Sequence, residues 1–282
     1  MLKNQHKVRT ICRVLVVNPS SYYKRLKKKL TKNEIQNQEI RREILSIYIK
    51  SDKRFGAYKL QNKLIEKGIK ISVARIYRLL FTMNLPKMAT IKPKYKKNKP
   101  DNDLSCENVL KQNFTWNEPN RAWVSDITYV KVGQSFCYVC VIIDLFSRKV
   151  IAYKCGKRMK SELVIETFKM ALRNRNYPKN VIFHSDRGCQ YTSNAFRKVV
   201  DDANFIQSFS KKGYPFDNAC AESFFKYYKQ NEILRRRYTA LEELEISTFK
   251  YVEGFYNSYN PHSANDGLTP NEKESNFFNN KY

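Results

Sequence analysis

Residues 123–145 read WVSDITYVKVGQSFCYVCVIIDL. Two runs rich in β-branched and aromatic residues, 124–132 and 136–145, flank Gly133-Gln134, a pair suited to turning the chain. The stretch therefore predicts a hairpin of two long strands, with Asp126 on the first. Residues 149–155 continue as a third strand. Beyond them the period changes: Val164, Ile165, Phe168, Ala171 and Leu172 recur at helical spacing behind Ser161, the expected N-cap. A short strand over 181–184, a helix over 192–202 and a strand over 205–209 follow. After the Gly213/Pro215 loop, Asp217 or Asn218 is the expected cap of a helix carrying Glu222. The order β-β-β-α-β-α-β-α predicts an α/β unit, a mixed five-stranded sheet flanked by helices.

Three acidic residues stand out against this frame. Asp126 lies in WVSDITY (123–129), Asp186 in FHSDRGCQYTS (183–193) and Glu222 in DNACAESFF (217–225), with 35 residues between the last two. If the first and fourth strands are neighbours, both aspartates reach one edge of the sheet and the following helix brings Glu222 across. Three close carboxylates repel one another unless a cation sits between them. Mg²⁺ favours oxygen ligands, and two such ions about 4 Å apart suit an in-line displacement at phosphorus. Lys226 and Lys229 follow Glu222 at i+4 and i+7 and share its helix face, so they are candidates for the DNA backbone. The plainer reading is a surface Glu–Lys pair. Asp144 has two readings, an approach to the metal site or a cap on the Ser147-Arg148 turn. His184 reads as a buried, hydrogen-bonded histidine or as a residue shaping the site. Trp116 and Trp123 read as core anchors.

The net charge of +27 is unevenly spread. Residues 1–100 hold 27 Lys and Arg against 5 Asp and Glu, whereas residues 101–282 hold 26 against 21. A polyanion-binding front half follows, and nucleic acid is the polyanion that rewards such charge by releasing counterions. The seven cysteines form no disulfide framework. Cys137 and Cys140 sit on a strand, where i and i+3 face opposite ways, which argues against zinc. No apolar run is long enough to span a membrane, and residues 1–7 lack the apolar core of a signal peptide.

The front half reads as short helices over 8–16, 22–30 (capped by Ser20 or Ser21), 34–50, 58–67 and 73–83. Ile40, Ile44 and Ile47 mark the third, and Gly68 and Ser72 separate the last two. Helix, glycine turn and capped second helix make a helix-turn-helix pattern, with Arg75 and Arg78 placed to enter a major groove. An ordinary helical hairpin with a wet charged face is the alternative. Residues 86–111, with five lysines between 92 and 99, read as a basic linker. The expected organisation is a helical DNA-binding region (1–90), a linker (91–114) and a core with a helical tail (115–275).

At these residues the chain resembles the second-frame (OrfB) transposases of the two-frame, IS-three group of insertion sequences. The likeness runs through Arg54-Phe55-Gly56-Ala57-Tyr58, residues 68–85, 123–128, 144–148, 184–193 and 210–225. In the tail it continues at Tyr256-Asn257, His262-Ser263 and Thr269-Pro270. The resemblance implies a ribonuclease H-like integrase core and a DDE triad of Asp126, Asp186 and Glu222 holding two divalent metal ions, Mg²⁺ or Mn²⁺. It also implies that Lys229 contacts the element end. Two positions depart from the pattern: Asn260 stands where a basic residue is common, and Asn231 where an acidic one is.

The resemblance implies an enzyme that cleaves element ends and joins the freed 3′-hydroxyls to target DNA. Implied partners are double-stranded DNA, further copies of the chain on that DNA, and a first-frame (OrfA) protein or fusion. The implied location is the bacterial cytoplasm, on the nucleoid. The alternative is a non-catalytic DNA-binding partner or regulator of the fusion, consistent with the lack of a leucine-zipper heptad pattern. A retroviral-type integrase would need a His-His-Cys-Cys module near its N-terminus. The three histidines, His6, His184 and His262, cannot supply it.

Overall fold

The structure is a computed structural model and describes residues 7–26, 31–85, 107–211 and 214–280. Its centre is a five-stranded sheet in the order β3-β2-β1-β4-β5. The strands are β1 (Ala122–Val132), β2 (Ser135–Asp144), β3 (Val150–Gly156), β4 (Ile182–Ser185) and β5 (Ile206–Phe209). β1 pairs antiparallel with β2, and β2 with β3, as the hairpin turns require. β4 pairs parallel with both β1 and β5. Parallel neighbours need a crossover: α6 (Ser161–Asn174) carries the chain from the edge strand β3 back to β4 beside β1, and α8 (Asn194–Asp202) joins β4 to β5.

Alternation along β1 and β2 loads both faces of the sheet. On one face Trp123, Cys140 and Ile142 pack with α6 and α8 (Asn194–Asp202). There the Trp123 ring lies 5.0 Å from Phe205, and Phe168 lies 5.2 Å from Phe183. Each such ring pair adds about 0.5–1.5 kcal/mol to simple burial. On the other face Val124, Val130, Val139 and Val141 pack against α9 (Ala219–Asn231), α10 (Leu241–Phe249) and the π-helical segment Lys250–Asn257. Cys137 and Cys140 fall on opposite faces, as the strand reading expects. Trp123 is fully buried and Trp116 packs at the margin of the second core.

Ahead of the sheet stand α1 (Val8–Val14), α2 (Pro19–Leu26), α3 (Lys32–Lys50), α4 (Ala57–Glu66) and α5 (Val73–Met83). Thr31 and Glu34 form a capping box at the start of α3, and Ile40, Ile44 and Ile47 are buried along it. Gly68 turns the chain with φ +78°, and Ser72 caps α5 by accepting the Arg75 N–H. The apolar residues of α3, α4 and α5 join the same core as β1 and α9. Phe55 stacks on Tyr259 at 5.3 Å, and Arg54 pairs with Glu232 at 2.5 Å. Residues 107–111 also belong to that packing. Leu110 is buried, and its N–H donates to Ser208 Oγ, so the expected linker is part of the core from residue 107 onward. The lysines at 92–99 lie outside the described residues. No helix among the described residues is long and apolar enough to cross a membrane.

Several helix starts differ from expectation because side chains found other partners. α2 begins at Pro19, with Asn18 Oδ1 accepting the Ser20 N–H, so neither Ser20 nor Ser21 caps it. Ser161 lies inside α6, whose capping position, Lys160, makes no side-chain cap. The expected helix over 192–202 is broken at Ser193 into α7 (Cys189–Thr192) and α8, which Ser193 caps. Neither Asp217 nor Asn218 caps α9, because both reach into the sheet's surroundings instead. Asp144 accepts the N–H groups of Asn120 and Phe146 and pairs with Arg175. It therefore holds the turn after β2.

Candidate active site

In the parallel ladder of β1 and β4, Val124 lies opposite His184. Asp126 lies two residues further along β1, and Asp186 is the first residue past the end of β4, so both aspartates stand at the same end of two adjacent strands. Asp126 shares the face of Val124 and Val130, the face that α9 covers. Glu222 stands in the first turn of α9. Ala221, Phe224, Phe225 and Tyr228 turn into the core, leaving Glu222 and Lys226 exposed and Lys229 half-buried.

Backbone groups hold both aspartates. The Ile127 N–H donates to Asp126 Oδ1 at 2.8 Å, and the Gly188 N–H donates to Asp186 Oδ1 at 2.9 Å. Burial, then the Asp186 charge, pushes the Asp126 carboxyl up to about 8, with Glu222 adding to the effect. Burial raises Asp186, and burial with Asp186 raises Glu222. The three carboxylates thus share one electrostatic neighbourhood. Lys229 faces inward: its ammonium lies 4.8 Å from the Tyr129 ring centroid and is attracted to Asp126.

Among the described residues no three acidic, His or Cys side chains close into a metal-holding cluster. The donor set nevertheless fits a hard divalent cation, being all carboxylate oxygen. Nearby, the buried Asn218 Oδ1 has no hydrogen-bond partner.

Arg75 and Arg78 stand on α5, which packs on α3 and α4. The Arg75 guanidinium donates to Asn33, Gln36 and Asn37 of α3, so its charge is engaged within the helical region rather than presented to a groove. Arg78 is exposed beside Tyr77 and Phe81. His184 is buried between Ser208 Oγ (2.8 Å) and Ser210 Oγ (3.1 Å), a structural place behind Asp186.

An integrase core domain family matches residues 117–215, and a second integrase core family matches residues 205–270. The InsF transposase of insertion sequence IS3A from Escherichia coli K12 is 32% identical over 270 residues, 95% of this chain and 94% of that protein. The chain belongs to the IS3-family transposases. A further relative, the transposase of IS904 from Lactococcus lactis, is 33% identical over 84% of this chain and 96% of its own length. A solved structure of the HTLV-2 integrase catalytic core with magnesium is 19% identical, with TM-score 0.41 over 55% of this chain and 97% of that one. The fold is ribonuclease H-like, and the enzyme is a transposase of the DDE, polynucleotidyl transferase type.

Sequence reading of this transposase missed Ser125, Tyr191 and Asn218, which meet behind the carboxylates. All three lie inside the motifs around the acidic residues. Their periodicity carried no sign of the contact, which joins residues 66 and 93 positions apart.

Proposed function

We propose that Asp126, Asp186 and Glu222 are the catalytic carboxylates of this transposase. In this reading they hold two divalent metal ions, Mg²⁺ or Mn²⁺, cleave the ends of an insertion element and join those ends to target DNA. The observation that supports the reading is that Asp126 on β1 and Asp186 just past the end of the adjacent β4 share one electrostatic neighbourhood with Glu222 in the first turn of α9. When bound, such a pair of ions activates the attacking oxygen and offsets charge on the leaving one. The chain's part is placement. Strand pairing fixes the Asp126 backbone and leads the chain out of β4 to Asp186, and the Ile127 and Gly188 N–H groups orient the two carboxylates. Lys226, exposed one turn beyond Glu222, offers its ammonium to a DNA phosphate. Lys229, held on Tyr129, balances the Asp126 charge from within. Water and a DNA 3′-hydroxyl are equivalent nucleophiles for such a site, so it serves cleavage and joining alike.

The partners in this reading are double-stranded element ends and target DNA, further copies of the chain on that DNA, and a first-frame protein or fusion. The helix-turn-helix contact is made through the exposed Arg78 face of α5 rather than through Arg75. The place of action is the bacterial nucleoid. The test is cleavage and joining of a labelled element end in Mg²⁺ by the chain, with and without the upstream-frame fusion, beside Asp186→Asn. Metal-dependent 3′-end cleavage that Asp186→Asn abolishes is the expected result. Tight DNA binding without cleavage in any form would overturn the catalytic reading and leave a DNA-binding regulator.

A further inference from the structure

Ser125 precedes Asp126 on β1 and is fully buried. Its hydroxyl donates to Val141 O at 2.9 Å, which commits its proton to the neighbouring strand. The Tyr191 hydroxyl, 2.8 Å away, is therefore the donor to Ser125 Oγ. Tyr191 lies on α7, whose start at Gly188 holds Asp186 Oδ1. Its carbonyl accepts from Gln207 Nε2 on β5, so the tyrosine is fixed at both ends. Burial keeps its phenol protonated, in the donor form. On the other side, Asn218 Nδ2 donates to Ser125 O at 3.1 Å. Asn218 immediately precedes α9 and stands one helical turn before Glu222.

Each of the three carboxylates is thus tied to one residue by a separate route. Asp126 is its chain neighbour. Asp186 reaches it through α7 and the Tyr191 phenol. Glu222 reaches it through the first turn of α9 and the Asn218 amide. These links join segments far apart in the chain, which strand ladders and apolar packing also bring together. Apolar contacts are non-directional, whereas a hydrogen bond fixes distance and angle.

We propose that Ser125, Tyr191 and Asn218 are positioning residues that set the mutual separation of the three carboxylates, and with it the affinity of the site for divalent cations. The proposal rests on the triad reading above.

The test is Mn²⁺ binding to the full chain by titration calorimetry, with thermal unfolding measured in parallel. Tyr191→Phe and Ser125→Ala each remove one hydroxyl, and the double variant replaces both partners with apolar groups. A single variant leaves a buried polar atom unpaired and loses stability, whereas removing both partners is nearly neutral. Stability is therefore expected to fall most in Ser125→Ala, which strands the Tyr191 hydroxyl, and to recover in part in the double, where Val141 O alone still lacks its Ser125 donor. Mn²⁺ affinity is expected to fall about tenfold in all three, the scale of losing a group that orients a metal ligand, and not to recover in the double. Affinity that recovers together with stability, or that stays native throughout, would overturn the positioning role. Asp126→Asn separates the two readings. If it abolishes binding while Tyr191→Phe binds normally, the positioning role alone fails; if it binds normally, the triad reading fails and the positioning role with it.

Discussion

A Cβ placed on Gly188 would lie 3.0 Å from Asp186 Oδ1 and 3.0 Å from Gln190 Oε1. Gly188 has φ −58°, open to any residue, so the requirement is space for the carboxylate against the backbone. Gly188→Ala is expected to push the Asp186 carboxylate off its N–H donor and weaken Mn²⁺ binding and end cleavage by about tenfold. Stability should change by about 0.5 kcal/mol or less, because the residue is not in the core. Native Mn²⁺ affinity in a calorimetric titration of the variant would show that the carboxylate needs no such seat. A different residue sets a pH dependence. His262 Nδ1 accepts the Ala264 N–H, and burial, aided by the Arg148 and Lys59 charges, lowers its pKa to about 4. The unfolded imidazole titrates near 6.5, so the unfolded chain takes up the proton first as pH falls. Stability from His262 is complete above about 6.5 and is lost between there and 4. In denaturant melts from pH 7 to 4, His262→Gln should flatten the fall by about 1–2 kcal/mol. A slope equal to that of the parent would disprove it.

At the scale of elements, α5 separates what pattern conveys from what it does not. Ser72, the helix and its buried Ile76 and Leu79 follow from a cap and an apolar period. The fate of each arginine does not, because Asn33, Gln36 and Asn37 on α3 claim the Arg75 guanidinium while Arg78 stays in solvent. Arg78→Ala is therefore expected to weaken binding of an element end and lower the slope of log affinity against log salt by about one. Arg75→Ala should mainly cost stability, through three side chains left without their donor. Fluorescence anisotropy across a salt series reads the first and thermal unfolding the second. An Arg75→Ala protein with native stability and a reduced salt slope would reverse the assignment. The succession of strands and helices along the chain was legible for a similar reason, since it rests on local period, whereas the pairing of β1 with β4 entered only as a condition. The caps were not legible. Asp217 looks like a helix cap, yet it accepts from the Lys211 N–H, Asn108 and Gln112. Asn218 looks like one too, yet it donates to Ser125 O. A side chain with several possible partners follows whichever the tertiary structure brings nearest.

Over the whole molecule, charge and hydrophobicity divide the chain in different places. The charge asymmetry suggested a basic helical front half joined to the core by a linker. In the structure Ile44, Leu60 and Ile76 from that front half share one apolar core with Val124, Phe224 and Tyr251. At the seam Arg54 pairs with Glu232, whose other oxygen accepts from Ser247 Oγ, and the Arg54 guanidinium lies 4.7 Å from the Phe255 ring centroid. Neither fact was legible, because apolar periodicity shows that a helix face is buried and not what buries it. The consequence is cooperative. Removing one partner of a buried ion pair costs about 3–5 kcal/mol, largely from the charge left behind. Arg54→Met should therefore lower the stability of α9 and the sheet along with that of α3 and α4. The expected result is a single calorimetric transition, shifted down as a whole, with amide exchange quickening in β1 as well as in α3. Two separated transitions, with β1 protection unchanged, would instead restore the division into a helical region and a catalytic core that the sequence suggested. In that case the seam would be a docking contact between two folding units.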